Sequence, residues 1–350
     1  MKDSWDEPIP PAWRTLGFVQ ELALEAATTL EQDPELSCSL AQFAVATVSG
    51  ISPTAYPPLA IAFAEGQAWK ELGTAHRYLS QYDAALRAYD AARRSYASYG
   101  ALAHELAIVD LARAVVFSEA CRFDEALELI TATAPEFVAY HDHRRLVQGA
   151  LLRAMIYHRR GDLMRARAGY EEALSRAEHH ADAHTIASIH NNLGQLCTDI
   201  NDLDTAAREL TKARELFLRL SMPGEVARTD GALGRLAMQR GEFDDAVELF
   251  GRVRQRFSEL GMIDEASVSA LDIVEALVAK NHRDDALRLT ETVLAECRAA
   301  GLNDRGLLAL GYLRDLLPLH PEPQLSIRYV RAYLEQLRAD PARVFLPLPE

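Results

Sequence analysis

Four cysteines, Cys38, Cys121, Cys197 and Cys297, are too few and too scattered for a disulfide framework or a CxxC metal site. They are read as reduced thiols of a cytoplasmic protein. Lysine is scarce too. Lys2, Lys70, Lys212 and Lys280 are the whole set, so arginine carries nearly all the positive charge. With the abundance of alanine, this bias suggests a GC-rich bacterial genome. No basic block offsets the 51 acidic residues, and the formal net charge is −14. Such a chain is a poor match for a phosphate backbone or an anionic bilayer, so neither nucleic acid nor membrane is an expected partner. No apolar run approaches the roughly 18 residues of a membrane span. The start, MKDSWDEPIPPAW, lacks the basic and apolar regions of a signal peptide. Sustained apolar/polar alternation is missing, which argues against sheet.

Catalytic signatures are missing as well. The chain has no GxxxxGK[ST], no GxGxxG after a strand, no GxSxG and no paired-carboxylate motif in a plausible setting. The pairs Asp244-Asp245 and Asp284-Asp285 open helical segments, where they favour the positive end of the helix dipole. His179-His180-Ala181-Asp182-Ala183-His184 puts two histidines four apart, but without an HExxH glutamate and across a turn between segments. His141-Asp142-His143 is in a similar turn. Both are expected to be loop, not metal ligands. No cofactor, no metal and no enzymatic activity are expected.

Strong helix formers dominate what is present: alanine, leucine, arginine and glutamate. Apolar residues recur at helical spacing, as in Leu203, Ala206, Ala207, Leu210, Ala213 and Leu216. The spacing predicts an all-α chain, with Asp230-Gly231 inside a helix and not in a hairpin.

An internal repeat organises these helices. Tyr82-Asp83-Ala84-Ala85, Phe123-Asp124-Glu125-Ala126, Leu163-Met164-Arg165-Ala166, Leu203-Asp204-Thr205-Ala206, Phe243-Asp244-Asp245-Ala246 and Arg283-Asp284-Asp285-Ala286 align. Their closing alanines are 41 residues apart at the first step and 40 at each later one. Twelve residues before each alanine stands Gly73, Ala114, Ala154, Gly194, Gly234 or, as the exception, Val274. Four after it stands a bulky side chain in most copies: Tyr89, Ile130, Tyr170, Leu210, Phe250. Each unit is predicted to be two antiparallel helices touching where the small residue and the alanine meet, because a larger side chain there would force them apart. The bulky residue is expected to fill the space between one pair and the next. Turns such as Arg160-Gly161-Asp162 and Arg240-Gly241-Glu242 join the helices of a pair, using glycine's access to positive φ. Gly100, Gly261, Gly301 and Met222-Pro223-Gly224 are assigned to turns between pairs.

These units resemble tetratricopeptide repeats (TPRs). The resemblance rests on Trp69-Lys70-Glu71-Leu72-Gly73 with Tyr82-Asp83-Ala84-Ala85, on Asn192-Leu193-Gly194 with Leu203-Asp204-Thr205-Ala206, and on Leu233-Gly234 with Phe243-Asp244-Asp245-Ala246. The units are about six residues longer than the usual TPR of about 34, similar to those of bacterial regulators and kinesin light chains. Arg113 and Arg153 in place of leucine, and Val274 in place of glycine, depart from the pattern. The resemblance implies a right-handed superhelix, an α-solenoid. It divides into a disordered tail (1–12), an N-terminal helical cap or degenerate repeat (13–58), six repeats (59–306) and C-terminal capping helices with a proline-rich tail (307–350).

The stretch Ser188 to Cys197, SIHNNLGQLC, holds a histidine, two amides and a thiol. In the repeat register Cys197 aligns with Phe117 and Tyr157, so it is expected to be a buried thiol. Asn191 and Asn192 precede the packing leucine on the side expected to line the concave face. In TPRs with a similar Asn-Leu-Gly the second asparagine often hydrogen-bonds a bound peptide's backbone, which gives Asn192 that role by resemblance. An ordinary exposed amide is the alternative. The same register gives a groove of Gln148, Arg159, Asn191, Asn192, Gln195, Asp199, Arg228, Arg235 and Gln239, with Glu275 beyond. Its arginines suit an acidic segment or a peptide C-terminus; a solvated face laced with ion pairs is the alternative. The implied function is a non-enzymatic scaffold binding a peptide or helix of a partner protein. A sensor module of a bacterial regulatory system, acting through a separate effector chain, is the second reading. Self-association into a homo-oligomer is compatible with both.

Overall fold

The computed structural model describes residues 9–30, 33–180, 183–301, 303–320, 322–339 and 343–348, and every regular element among them is helical. The first eight residues of the expected disordered tail, Asp182 of the histidine-rich stretch, and Pro349 lie outside the described residues, as do the side chains of His179 and His180. The chain forms two compact units divided between Ile156 and Tyr157.

The first unit contains α1 (Leu16–Thr29), α2 (Pro34–Ser49), α3 (Pro58–Tyr78), α4 (Tyr82–Ala97), α5 (Ala103–Glu119), α6 (Phe123–Ala139) and most of α7 (His143–Arg159). A 3-10 turn over Pro11–Trp13 precedes α1, which starts at Leu16. The reason is local: the Thr15 side chain accepts the Phe18 amide and so sets the first turn. In the same way Asp33 caps α2 through the Leu36 amide and starts it at Pro34. Val19, Ala44, Val48, Ala64 and Ala68 form one core of α1, α2 and α3, and Ile130, Phe137, Leu152 and Ile156 join α5, α6 and α7 in another.

The second unit continues with α8 (Leu163–His180), α9 (Ala183–Asp199), α10 (Leu203–Arg219), α11 (Pro223–Arg240), α12 (Phe243–Glu259), α13 (Ile263–Ala279), α14 (Arg283–Ala299), α15 (Asp304–Leu316) and α16 (Gln324–Ala339). Each helix from α8 to α16 packs on the next, and α16 also packs back on α13. Ile327, Val330 and Tyr333 of α16 join Leu271, Val274, Leu310 and Leu313 in one buried core.

The repeat register has a direct steric basis. Ala85, Ala126, Ala166, Ala206, Ala246 and Ala286 are all completely buried. A Cβ added to Gly73 would lie 2.7 Å from the Tyr89 ring, one on Gly194 2.6 Å from Leu210 Cγ, and one on Gly234 2.5 Å from the Phe250 ring. The bulky side chain therefore seats on the glycine of its own helix pair. That corrects the expectation that it fills only the space between pairs: removing Cβ from one helix makes the pocket that the other helix's side chain occupies. Copy six inverts the exchange. Val274 replaces the glycine and Thr290 the bulky residue, and both are fully buried.

The turns repeat as well. Ser80, Cys121, Gly161, Asn201, Gly241 and Asn281 are the left-handed residues within successive pairs, with φ between 56° and 77°. His141, Ser221, Gly261 and Gly301 are left-handed between pairs. Gly100 instead opens a 3-10 turn, and Gly224 lies in the first turn of α11. Ser221 does the work assigned to Met222-Pro223-Gly224, because the Met222 amide closes back onto the Phe217 carbonyl at 3.1 Å.

Candidate functional site

Three first helices of the second unit, α9, α11 and α13, carry polar side chains at matching register positions. One residue after Gly194, Gly234 and Val274 stand Gln195, Arg235 and Glu275; five after the two glycines stand Asp199 and Gln239. All five line one cleft of about 350 Å³. Ala232, Met238 and Phe250 give it an apolar floor, and Thr198 lies beside Asp199.

The fourth wall comes from outside the repeat register. Packing of α16 on α13 places Arg328 and Arg331, one helical turn apart, in the same cleft. There they meet Asp272 and Glu275, which are 5% and 6% exposed. Arg331 ion-pairs with Asp272 and, at 3.0 Å, with Glu275 Oε2. Arg328 Nε donates to Glu275 Oε1 at 2.5 Å. Burial raises the Asp272 carboxyl above its usual value, while Arg331 and Arg235 pull it back. Arg235 itself donates to Gln195 Oε1 at 3.4 Å. At the rim, Asp199 Oδ2 lies 2.8 Å from His158 Nε2.

The residues expected from the sequence divide as follows. Gln195, Asp199, Arg235, Gln239 and Glu275 come together in the cleft. Asn191 and Asn192 lie half-buried about one turn earlier on α9, outside its lining, and the Asn191 side-chain oxygen is buried without a hydrogen-bond partner. Arg228 lies two turns before Arg235, is exposed, and is ion-paired with Glu225 on its own helix. Arg159, at the end of α7, is exposed and apart from the lining. Gln148 belongs to the first unit, where Arg145 donates to it at 2.7 Å.

Arg328, Arg331 and Asp272 were not in the sequence-based groove. A signal for Asp272 existed, since it stands two residues before Val274, as Asn192 does before Gly194. For the two arginines the sequence offered only an i, i+3 spacing on an amphipathic segment.

Of the stretch SIHNNLGQLC, Gln195 lines the cleft, and Cys197 and His190 pack beside it. Cys197 is fully buried, and burial pushes its thiol up to about 11, so it is held protonated and inert. His190 Nδ1 lies 2.6 Å from Glu209 Oε2, and Lys212 donates to the other Glu209 oxygen at 3.1 Å. Burial raises Glu209, but the hydrogen bonds from His190 and Lys212 outweigh it and hold the carboxyl below its usual value. Among the described residues no group of three or more His, Cys, Asp or Glu side chains is arranged to hold a metal ion.

No protein-family model matches this chain, and no curated protein sequence does. Solved structures do match its fold. The Rap conjugation gene regulator of plasmid pLS20, solved with the Phr* peptide, is 14% identical with a TM-score of 0.59, covering 92% of this chain and 96% of its own. Aspartyl phosphate phosphatase F from Bacillus subtilis is 14% identical with a TM-score of 0.58, covering 95% of this chain and 86% of its own. A signal-transduction ATPase with a tetratricopeptide-repeat sensor, from Pyrococcus horikoshii, is 11% identical with a TM-score of 0.59, covering 92% of this chain and 51% of its own. At such identities the likeness is one of architecture, and it agrees with the repeat register, the helix pairs and the turns: the chain has the all-α solenoid fold of tetratricopeptide-repeat proteins.

Proposed function

We propose that the chain is a non-enzymatic interaction module that holds a peptide or helix of a partner protein in the groove lined by α9, α11 and α13. The cleft carries this reading. Gln195 and Gln239 offer donors and acceptors together, as an extended peptide backbone requires, and the arginines offer forks for carboxylates. A volume of about 350 Å³ suits a few residues of a peptide, not a globular surface. In this reading six repeats span 59–306, the segments 13–58 and 307–350 close the array, and the protein works in the cytoplasm on a protein partner. The net charge of −14 weighs against nucleic acid or anionic lipid. No helix among the described residues is long and apolar enough to cross a membrane.

A second reading is a sensor or regulatory module acting through a separate effector chain. It is supported by two of the matching folds, a conjugation gene regulator solved with a peptide and a protein described as carrying a tetratricopeptide-repeat sensor.

The test is affinity capture from a bacterial lysate with wild type and with Gln195→Ala/Arg235→Ala/Gln239→Ala, after circular dichroism shows equal helicity. A partner held by wild type and released by the triple variant is the expected result. Equal capture by both would sink the groove assignment. A parallel Asn192→Ala variant tests whether the groove extends one turn up α9.

A further inference from the structure

We infer that α15 and α16 form a docking site for an extended, proline-bearing segment with an aromatic anchor, that residues 343–348 of this chain are its resident ligand, and that filling the site holds the arginine wall of the cleft in place. The site lies apart from the cleft lining and stands whatever the cleft binds.

Residues 343–348 form no helix. Leu346 and Leu348 each precede a proline, which drives both toward extended backbone. Pro347 has no N–H to give. A surface that receives such a segment must bring hydrogen-bond donors for its carbonyls and an apolar seat for its side chains. α15 and α16 bring both. Tyr312, Tyr329 and Tyr333 surround Phe345, with ring centroids 5.5, 5.8 and 5.0 Å away, and leave it 5% exposed. The Tyr333 hydroxyl donates to the Arg343 carbonyl at 2.9 Å, and the Tyr329 hydroxyl to the Leu346 carbonyl at 2.6 Å. Hydrogen bonds thus flank the anchor on both sides. Val344 and Leu346, by contrast, are 65% and 67% exposed. One side chain is inserted and its neighbours are not, so the segment can leave without separating a helix pair.

The site shares α16 with the cleft. Arg328 and Tyr329 are adjacent, and Arg331 and Tyr333 follow about one turn on. At about 100° per residue, the arginines and the tyrosines fall on opposite flanks of the buried stripe of Ile327, Val330 and Leu334. On one flank Arg328 and Arg331 reach Glu275 and Asp272 of α13. On the other the tyrosines hold residues 343–348. Release of the segment loosens the helix that carries the arginines.

The test is hydrogen exchange of the full chain, read by mass spectrometry, with a synthetic peptide of residues 343–350 as the probe. Phe345→Ala withdraws the anchor and leaves the seat intact. It should speed exchange in α16 about tenfold or more while α9 to α12 keep their wild-type rates. Added at about 1 mM, the local concentration a short tether provides, the peptide should restore α16. A peptide with alanine in place of Phe345 should not. In Phe345→Ala/Tyr329→Phe, which removes one hydroxyl and keeps the ring, rescue should need several times more peptide. Leu346→Ala, at an exposed position, should exchange as wild type. Unchanged α16 exchange in Phe345→Ala would overturn the link between the segment and α16. Faster exchange that no peptide reverses would overturn the docking site and leave Phe345 as core packing alone, as would a rise spread evenly over α9 to α16. None of these readouts uses a cleft ligand, so the groove reading stands or falls separately.

Discussion

The second unit buries acidic side chains in two places and holds them in different ways. Glu209 on α10 meets His190 on α9, 19 residues away within one repeat, and Lys212 one turn along its own helix. Asp272 on α13 meets Arg331 on α16, 59 residues away, across the last helices of the chain. The first cluster is complete once a single helix pair forms. The second needs the terminal helix to dock, and until then Glu275 lacks its partners Arg328 and Arg331 and Asp272 keeps only the field of Arg235. A local pair thus fixes the register of one repeat, whereas the distant pair reports whether the end of the array has closed.

Breaking the distant pair should have the largest effect. Arg331→Ala leaves Asp272 buried without its main partner and should cost about 3–5 kcal/mol in urea unfolding. Replacing both partners by leucine should recover most of that loss. A cost below about 1 kcal/mol would show that apolar packing alone holds α16. The Asp272 carboxyl is raised above its usual value, so acid favours its neutral form in the folded state. The penalty of Arg331→Ala should accordingly shrink as pH falls.

The local pair should rank second. His190→Ala removes one of two cationic or hydrogen-bonding partners of Glu209, and should cost about 1–3 kcal/mol because Lys212 remains. Its pH dependence has the opposite sign to that of Asp272. Glu209 is held below its ordinary value of 4.5, so its contribution is present above that pH and is lost as pH falls through the lower folded value. Glu209→Gln should flatten the acid limb of a stability-against-pH curve. An unchanged acid limb would mean that the pair contributes nothing to folding.

The smallest effect belongs to a pair between neighbouring repeats. Arg214 Nε reaches Asp230 Oδ1 at 2.5 Å, but the arginine side chain is 40% exposed. Solvent screens it, so Arg214→Ala should cost about 1 kcal/mol or less and should matter less still in high salt. In the first unit Arg93 reaches Asp110 at 2.7 Å in the same register, and Arg93→Ala should behave alike. A cost equal to that of Arg331→Ala would erase the distinction between screened and buried pairs.

Much of this could be read from residues alone, for reasons that are local. Gly194 and Gly234 announce helix contact because no other residue leaves room for Leu210 and Phe250. The register then places Gln195, Arg235 and Glu275 on one face, and the cleft contains all three. Arg228 shares that face but is paired with Glu225 on its own helix, a contact that spacing permits without requiring it. Gln148 follows the same periodicity yet belongs to the other compact unit, because periodicity carries no information about where a solenoid divides.

The sequence by itself determined the helices, their pairing and the turn positions, since each depends on contacts within about forty residues and on backbone preferences that single residues impose. Only the tertiary structure decided what α16 covers. Its apolar stripe of Ile327, Val330 and Tyr333 demands burial but names no partner, because apolar attraction has no direction. Docking on α13, and not merely against α15, is what carries Arg328 and Arg331 to Asp272 and Glu275 and completes the cleft.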